Sequence, residues 1–227
     1  MLEICVYGRG GQGGVTLAEL VAHAAISEGK HAQSMPSFGP ERRGAPVLAF
    51  LRVSGQEEGR IKIRAEVVEP DVLVVLDPGL LQVGSVVSRL KKSGTAVVNT
   101  KKTHEAMKSK FEGEGGGGEG VKRVAKVATV DAMGIARAVL GLPIVNTTMI
   151  GALVKATGVV ELASLEEPMQ ERFGKVAAKN VAAMKKAYEE GVVELASLEE
   201  PMQERFGKVA AKNVAAMKKA YEETVVC

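Results

Sequence analysis

The stretch VYGRGGQGGVT, residues 6–16, places a glycine-rich loop directly after a short apolar run. Gly8, Gly10 and Gly13 fit the pattern G-x-G-x-x-G, and residues 2–7 before them have the composition of a buried strand. The residues that follow carry apolar side chains at helical spacing. A strand, a glycine loop and a helix in this order predict the opening unit of a Rossmann-like α/β fold.

The rest of the first 157 residues continues this alternation. Apolar and β-branched runs predict further strands at residues 30–35, 47–54, 70–78, 94–100 and 126–132. Asp131 is suited to cap a helix from Ala132 to Leu140. Because strands alternate with helices, we expect a mainly parallel sheet with helices on both faces. The glycine-rich run at residues 112–120 predicts a mobile surface insertion rather than a ligand loop.

The C-terminal part contains a tandem duplication. Residues 158–190 and 191–223 are identical letter for letter. We therefore divide the chain into a Rossmann-like domain (1–157), its C-terminal helical segment (158–190) and a duplicated helical extension (191–227). The first copy predicts a long amphipathic helix, and one docking groove is expected to serve only one copy. Its expected apolar face comprises Phe173, Val176, Val181, Met184 and Tyr188.

Three interpretations of the glycine loop stay open at this point. The loop is a phosphate site, in which free N–H groups and the helix dipole attract an anion. It is a dinucleotide site, which also needs an acidic residue about 20 positions further on; the region KHAQSMPSFG contains none. Alternatively, the glycines only allow a strand and a helix to pack closely.

A pair of cations follows in the proline-bounded loop GPERRGAP. Arg42 and Arg43 suit a phosphate or carboxylate ligand, since guanidinium groups bind such anions through two parallel hydrogen bonds. An ion pair with Glu41 or a partner, or simple solvation, explains them equally well. The strand-end residues Asn99, Thr100 and Asp131 lie where open α/β sheets bind ligands, although capping and turn roles account for them too.

Composition excludes several other functions. A net charge of +3, 4% aromatic residues and no tryptophan argue against nucleic-acid binding. His23, His31 and His104 lack metal-ligand spacing, and Cys5 and Cys227 are too few for an iron–sulfur cluster. We expect no metal site, no catalytic nucleophile and no membrane span on this chain, and a cytoplasmic location.

The motifs taken together resemble a known family. GRGGQGG, SMPSFGPERRGAPVLAFLRVS, PDVLVVLDPGLL, AVVNTKK, VATVDAMGIA, LPIVNTTMIGALVKATG and SLEEPMQERF occur in the same order in the gamma subunit of pyruvate:ferredoxin oxidoreductase, or pyruvate synthase. The resemblance runs from residue 1 to about 190. The second 33-residue copy departs from the family pattern.

The resemblance implies a subunit that is not catalytic alone. In that family a complex with alpha, beta and delta subunits decarboxylates a 2-oxoacid, passes electrons to ferredoxin and transfers the acyl group to coenzyme A. Thiamine diphosphate and the iron–sulfur clusters belong to the partner subunits. The resemblance assigns this chain to coenzyme A binding, with Asn146 contributing a polar contact on resemblance alone. The expected binding residues are Gly8, Arg9, Gly10, Gly11, Gln12, Gly13, Arg42, Arg43 and Asn146. A purely structural subunit and a free-standing nucleotide-binding oxidoreductase are the alternatives.

Overall fold

The structure is a computed structural model. It describes residues 1–37, 44–82, 86–103, 106–107, 111 and 126–195. For Val86 and residues 192–195 it describes the backbone alone. Met1–Glu194 forms one compact unit, and a second unit comprises Leu195–Cys227. The glycine-rich run at 112–120 and nearly all of the second copy lie outside the described residues.

The strands form one sheet in the spatial order β2-β3-β1-β4-β5-β6-β7. Their bounds are β1 Leu2–Arg9, β2 His31–Pro36, β3 Pro46–Ser54, β4 Val72–Val75, β5 Thr95–Asn99, β6 Lys126–Val130 and β7 Val192–Leu195. Strands were thus correctly predicted in every run that the sequence singled out.

Strand direction follows the prediction with one exception. The pairs β1–β4, β4–β5 and β5–β6 are parallel, so β1, β4, β5 and β6 all end at the same edge. β3 runs antiparallel to both β1 and β2. The connection from Pro36 to Pro46 has nine residues, which is too short for the crossover that parallel neighbours need. The sheet is therefore mixed and mostly parallel.

Helices cover mainly one face of the sheet. Their bounds are α1 Gly14–Ser27, α2 Val86–Arg89, α3 Ala132–Leu140, α4 Asn146–Thr157, α5 Glu166–Phe173 and α6 Ala177–Glu190. Side chains of α1, α3, α4 and α6 share a core with Ile4, Val6 and Val74 of the sheet. The opposite face packs Cys5 and Tyr7 of β1 against short elements, including the 3-10 turn Pro78–Gln82. Coverage by helices on both faces was predicted; among the described residues, the elements on the second face are shorter, and they include the helical residues Met107 and Phe111.

The prediction for residues 132–140 is confirmed. α3 has the expected bounds, and the Asp131 carboxylate accepts a hydrogen bond from the Gly134 N–H at 2.9 Å. Gly141 ends the helix in the left-handed region with φ 74°.

The first copy contains the predicted long amphipathic helix as α6, but this helix begins only at Ala177. Gly174, at φ 51°, separates α5 from a 3-10 turn and α6. The expected apolar face is wrong in part, since Val176 is 53% and Tyr188 38% exposed while Met184 is buried. The buried face of α6 consists of Ala177, Asn180, Ala183, Met184 and Ala187, of which three are alanines. Small residues allow α6 to lie close to α4, where a Cβ on Gly151 would strike the backbone of α6.

Identical sequence adopts two structures within the duplication. The run GVVEL at residues 158–162 is irregular, whereas the same letters at 191–195 contain strand β7. Local preference therefore does not settle the conformation of this run. The surroundings of each copy decide its conformation, since the first copy follows α4 and the second follows α6.

Candidate functional site

The site lies at the edge of the sheet where the four parallel strands end. β1 ends at Arg9, β4 is followed by Asp77, β5 ends at Asn99 and β6 is followed by Asp131. In open α/β sheets, ligands bind in the crevice outside these carboxyl ends. The glycine loop, which connects β1 to α1, lies at this edge.

The loop adopts a conformation that requires glycine at two positions. Gly11 has φ 93° and Gly13 has φ 78°, which is the left-handed region where side chains are disfavoured. Gly8 is required for a different reason. A Cβ at this position would lie only 3.0 Å from Cδ1 of Leu76, the residue that follows β4. These constraints explain why the sequence places glycine at all three positions.

Part of the loop is satisfied by the protein itself. The Gln12 side chain folds back, and its Oε1 accepts a hydrogen bond from the Arg9 N–H at 2.6 Å. The Gly10 N–H donates to the Ala45 carbonyl at 2.8 Å, and the Gly44 N–H donates to the Gly10 carbonyl at 3.2 Å. These bonds attach the loop to the start of β3.

Arg9 acts as a clamp rather than as a free cation. Its Nε donates to Asp77 Oδ2 at 2.6 Å, and its Nη1 donates to the Gly44 carbonyl at 3.0 Å. Asp77 is held in turn by the Gly79 N–H at 2.9 Å. The guanidinium group therefore links the ends of β1 and β4 to Gly44, which lies shortly before β3.

Several N–H groups of the loop have no acceptor among the residues that the structure describes. Within the described part of the chain, the N–H groups of Gly13, Gly14, Val15 and Thr16 make no hydrogen bond. These are the leading N–H groups of α1, where the helix dipole is positive. The four residues are neither fully buried nor covered by a capping side chain. Such a group of donors fits an anion.

Asn146 brings a second helix to the loop. It is the first residue of α4 and is only 6% exposed. Its amide Nδ2 lies so close to Gly13 that a Cβ on Gly13 would overlap it. Its Oδ1 accepts a hydrogen bond from the Thr147 N–H at 2.9 Å, whereas Nδ2 donates to no acceptor among the described residues. The N-termini of α1 and α4 thus meet at the loop.

The structure therefore brings together seven of the nine predicted binding residues, from Gly8 to Gly13 and at Asn146. Arg42 and Arg43 lie outside the described residues. Gly44, which follows Arg43 in the sequence, is bonded to Gly10 and Arg9.

The other polar residues at strand ends have structural roles. Asn99 is buried, donates through Nδ2 to the Leu76 carbonyl at 2.9 Å and accepts from the Met133 N–H at 3.3 Å. Asp131 caps α3, as described above. The capping explanations that the sequence offered for these two residues are confirmed.

Asp77 is the functional residue that sequence reasoning missed. A sheet order that places β4 beside β1 would have indicated the contact, because two neighbouring parallel strands bring their following residues together. The sequence pattern alone does not reveal which strands are neighbours.

Cys5 and Tyr7 of β1 are potential nucleophiles. Burial raises the pKa of the Cys5 thiol to about 12, and burial likewise raises the pKa of Tyr7. Both groups therefore stay protonated at neutral pH and pack in the core. No group of three or more His, Cys, Asp or Glu side chains with metal-binding geometry occurs among the described residues. Likewise, none of the helices described above combines the length and apolarity needed to cross a bilayer.

Comparisons with known proteins agree on one family. The family model for pyruvate ferredoxin/flavodoxin oxidoreductase matches residues 3–190. The pyruvate/ketoisovalerate oxidoreductases common subunit gamma of Thermococcus litoralis is 47% identical over 191 residues, which cover 84% of this chain and 97% of that protein.

Solved structures share the fold. The pyruvate oxidoreductase subunit PORC of Thermotoga maritima superposes with a TM-score of 0.70 at 33% identity, over 85% of this chain and 98% of that one. A 2-oxoglutarate:ferredoxin oxidoreductase from Magnetococcus marinus, solved with 2-oxoglutarate, coenzyme A and succinyl-CoA bound, gives 0.61 at 19% identity. That match covers 82% of this chain and 30% of the other, and it shows the fold alone.

Proposed function

Since the chain belongs to the pyruvate ferredoxin/flavodoxin oxidoreductase family, we propose that it is the gamma subunit of a 2-oxoacid:ferredoxin oxidoreductase and positions coenzyme A. The glycine loop receives phosphate groups of the carrier. The observation that carries the proposal is the group of N–H donors at the start of α1 that have no acceptor among the described residues, beside the Asn146 amide nitrogen, which likewise has none.

The chemistry of the site suits a carrier rather than a reactant. Two helix N-termini favour negative charge, and backbone donors approach a phosphate closely where no side chain intervenes. Coenzyme A supplies its own thiol, so the loop needs no nucleophile. The contribution of this chain is to hold the acceptor in place, which lowers the entropic part of the barrier.

Sheet order argues against a dinucleotide cofactor. A ribose-binding acid belongs at the end of the strand that follows the first helix, next to β1. Here antiparallel β3 lies beside β1, and β2 is the outer strand. The end of β2, Ser34–Ser37, contains no acidic residue.

Work is divided between the subunits. We assign thiamine diphosphate, which stabilises the carbanion formed on decarboxylation, and the iron–sulfur clusters to the alpha, beta and delta partners, with ferredoxin as electron acceptor. The T. litoralis relative is a gamma subunit common to pyruvate and ketoisovalerate oxidoreductases. The two reactions use different 2-oxoacids but the same acyl acceptor, coenzyme A. A subunit that both enzymes share therefore fits a role in binding the acceptor. Pyruvate is our first choice of substrate, and the partners select it.

A purely structural role is the second candidate. The bonds of Arg9 to Asp77 and of Gln12 to Arg9 stabilise the loop without a ligand. This alternative predicts an assembled complex whose affinity for coenzyme A is unaffected by changes around the loop.

The test is a charge reversal in the assembled complex. We expect R42E/R43E to raise the KM for coenzyme A by at least about tenfold, since each charge-assisted hydrogen bond contributes roughly 1.5–3 kcal/mol. The KM for the 2-oxoacid and the assembly of the complex should not change. K175E/K179E is the matched control, because both lysines are exposed on or near α6.

Two results contradict the proposal. If the KM for coenzyme A is unchanged in a fully assembled R42E/R43E complex, the purely structural role explains the chain instead. Reduction of a nicotinamide by the purified chain alone instead indicates the nucleotide-binding enzyme.

A further inference from the structure

Residues 60–64 have the sequence pattern of a strand but are not part of one. The run Arg60-Ile-Lys-Ile-Arg64 alternates cationic and apolar side chains, which is the period of a strand with two different faces. In the structure it has no regular secondary structure and no place in the sheet. A pattern of this kind indicates a strand without its partner.

Both ends of this run are fixed. The Ser54 hydroxyl donates to Glu58 Oε2 at 2.9 Å before it. Arg52, which is only 3% exposed, donates through Nη1 to the Ala65 carbonyl at 2.8 Å after it. Val67 is buried in the core. The run is therefore held against the protein at its flanks.

Between the anchors the backbone is unpaired. Residues 61–64 make no backbone hydrogen bond to any part of the chain that the structure describes. Their N–H and C=O groups are available for a neighbouring chain, as on the edge of a sheet.

The cationic side chains also have no ion-pair partner in the described part of the chain. Arg60, Lys62 and Arg64 are exposed, and none has a carboxylate within 4.0 Å in the described ranges. Ile63 between them is 49% exposed. Ile61 lines a groove of about 340 Å³, with Arg60 and Arg64 at its rim and residues of α1 and β2 opposite. Exposed apolar groups framed by uncompensated charges are typical of a surface that binds another protein.

We propose that residues 60–64 are a docking strand for an extended segment of another subunit of the oxidoreductase complex, one in which Asp or Glu alternates with apolar residues. The inference rests on the proposed function, which makes this chain a subunit. Backbone bonds hold the added strand, and alternating side chains select it.

Charge selects this occupant over the alternatives. A second copy of the same run, paired antiparallel, would place cations opposite cations, which is destabilising. A small anion would satisfy the cations but leave Ile63 and the backbone groups exposed. A strand of alternating acidic and apolar residues pairs with the cations, covers Ile63 and bonds to the backbone groups.

The experiment reconstitutes the full-length chain with the other subunits of its complex. We expect R60E/K62E/R64E to weaken assembly at least about tenfold and to leave the melting temperature of the isolated chain nearly unchanged, because no described intrachain contact is lost. Assembly of the unaltered chain should weaken as salt rises from about 0.05 to about 0.3 M. K92E/K175E/K179E is the matched control, with the same charge change at exposed lysines elsewhere.

Hydrogen exchange gives a readout that does not depend on charge. The amides of residues 61–64 should exchange freely in the isolated chain and become protected in the complex. The inference is overturned if the triple variant assembles normally, if the control variant weakens assembly equally, or if these amides stay unprotected. If the unaltered chain does not assemble at all, the proposed function itself fails.

Discussion

At the scale of single residues, Gly13 combines two constraints. Its φ of 78° disfavours any side chain, and the Asn146 amide occupies the space that a Cβ would need. The residue therefore sets both the turn of the loop and the distance between α1 and α4. The sequence indicated the first constraint through the glycine pattern. It gave no sign of the second, because the two residues are far apart in the chain.

We predict that Gly13→Ala lowers the free energy of unfolding by about 1–3 kcal/mol, the usual cost of a side chain in the left-handed region. Urea unfolding of G13A, N146A and G13A/N146A separates the two constraints. The double variant should be less destabilised than the sum of the single variants, because removal of the Asn146 amide relieves the overlap. Strict additivity would show that the contact is not restrictive.

At the scale of elements, Glu28 joins the end of α1 to the connection after α4. Its Oε1 accepts a hydrogen bond from the Glu161 N–H at 2.6 Å, and its Oε2 pairs with Lys30 at 2.7 Å. Burial raises the pKa of Glu28, but the bonds from Lys30, Glu161 and Ser164 outweigh it, so the pKa lies below its ordinary value of 4.5. The charged form is thus stabilised in the folded state.

We predict that Glu28→Gln destabilises the protein at neutral pH and progressively less in acid. A lowered carboxyl pKa contributes stability that is complete above the unfolded value and is lost as pH falls through the folded value. Thermal unfolding from about pH 7 to about pH 3 should show the two proteins converging below about pH 4.5. Glu167→Gln, at an exposed position of α5, serves as the control and should track the unaltered protein. A difference that persists in acid would contradict the role of the charge.

The contact between α4 and α6 depends on Gly151 in the same direct way. A Cβ at this position would lie 2.8 Å from the Tyr188 N and closer still to the Met184 carbonyl. In an exposed helix, replacement of glycine by alanine stabilises by about 1 kcal/mol. We predict the opposite sign for Gly151→Ala, a loss of about 1–3 kcal/mol by overpacking, measured by urea unfolding. A gain in stability would show that α6 moves away easily.

The elements differ in how well the sequence predicts them. α3 and the strands were found because each carries a local signal, such as the Asp131 cap or a β-branched run. The sequence did not predict the direction of β3 or the buried face of α6. The direction of β3 follows from the short connection before it. The buried face of α6 depends on Gly151 in another helix, which is a contact between distant segments.

At the scale of the whole molecule, the duplication gives the chain more helix sequence than its core requires. The packing described for α6 is complete by Glu190, with α3, α4 and α5 as neighbours. The T. litoralis relative aligns over 191 residues, which are 97% of its own length. One copy is therefore sufficient for the family domain.

We predict that a chain without residues 191–223, which loses the outer strand β7 but keeps α1 to α6, keeps its fold and its activity in the complex. Its melting temperature should stay within a few degrees of the full-length value, since about 1 kcal/mol corresponds to a shift of roughly 2–4 °C in a protein of this size. Differential scanning calorimetry of both forms is the measurement. A much larger decrease would show that the second copy is integrated into the core.

β1 also fixes where the beginning of the chain stands relative to the loop. The strand runs straight through the middle of the sheet, and eight residue steps at about 3.3 Å separate Met1 from Arg9 by about 26 Å. A fluorophore or surface tether attached at the first residue would therefore leave the opposite edge open to solvent. Such a conjugate provides a spectroscopic handle for following carrier capture without obstructing it.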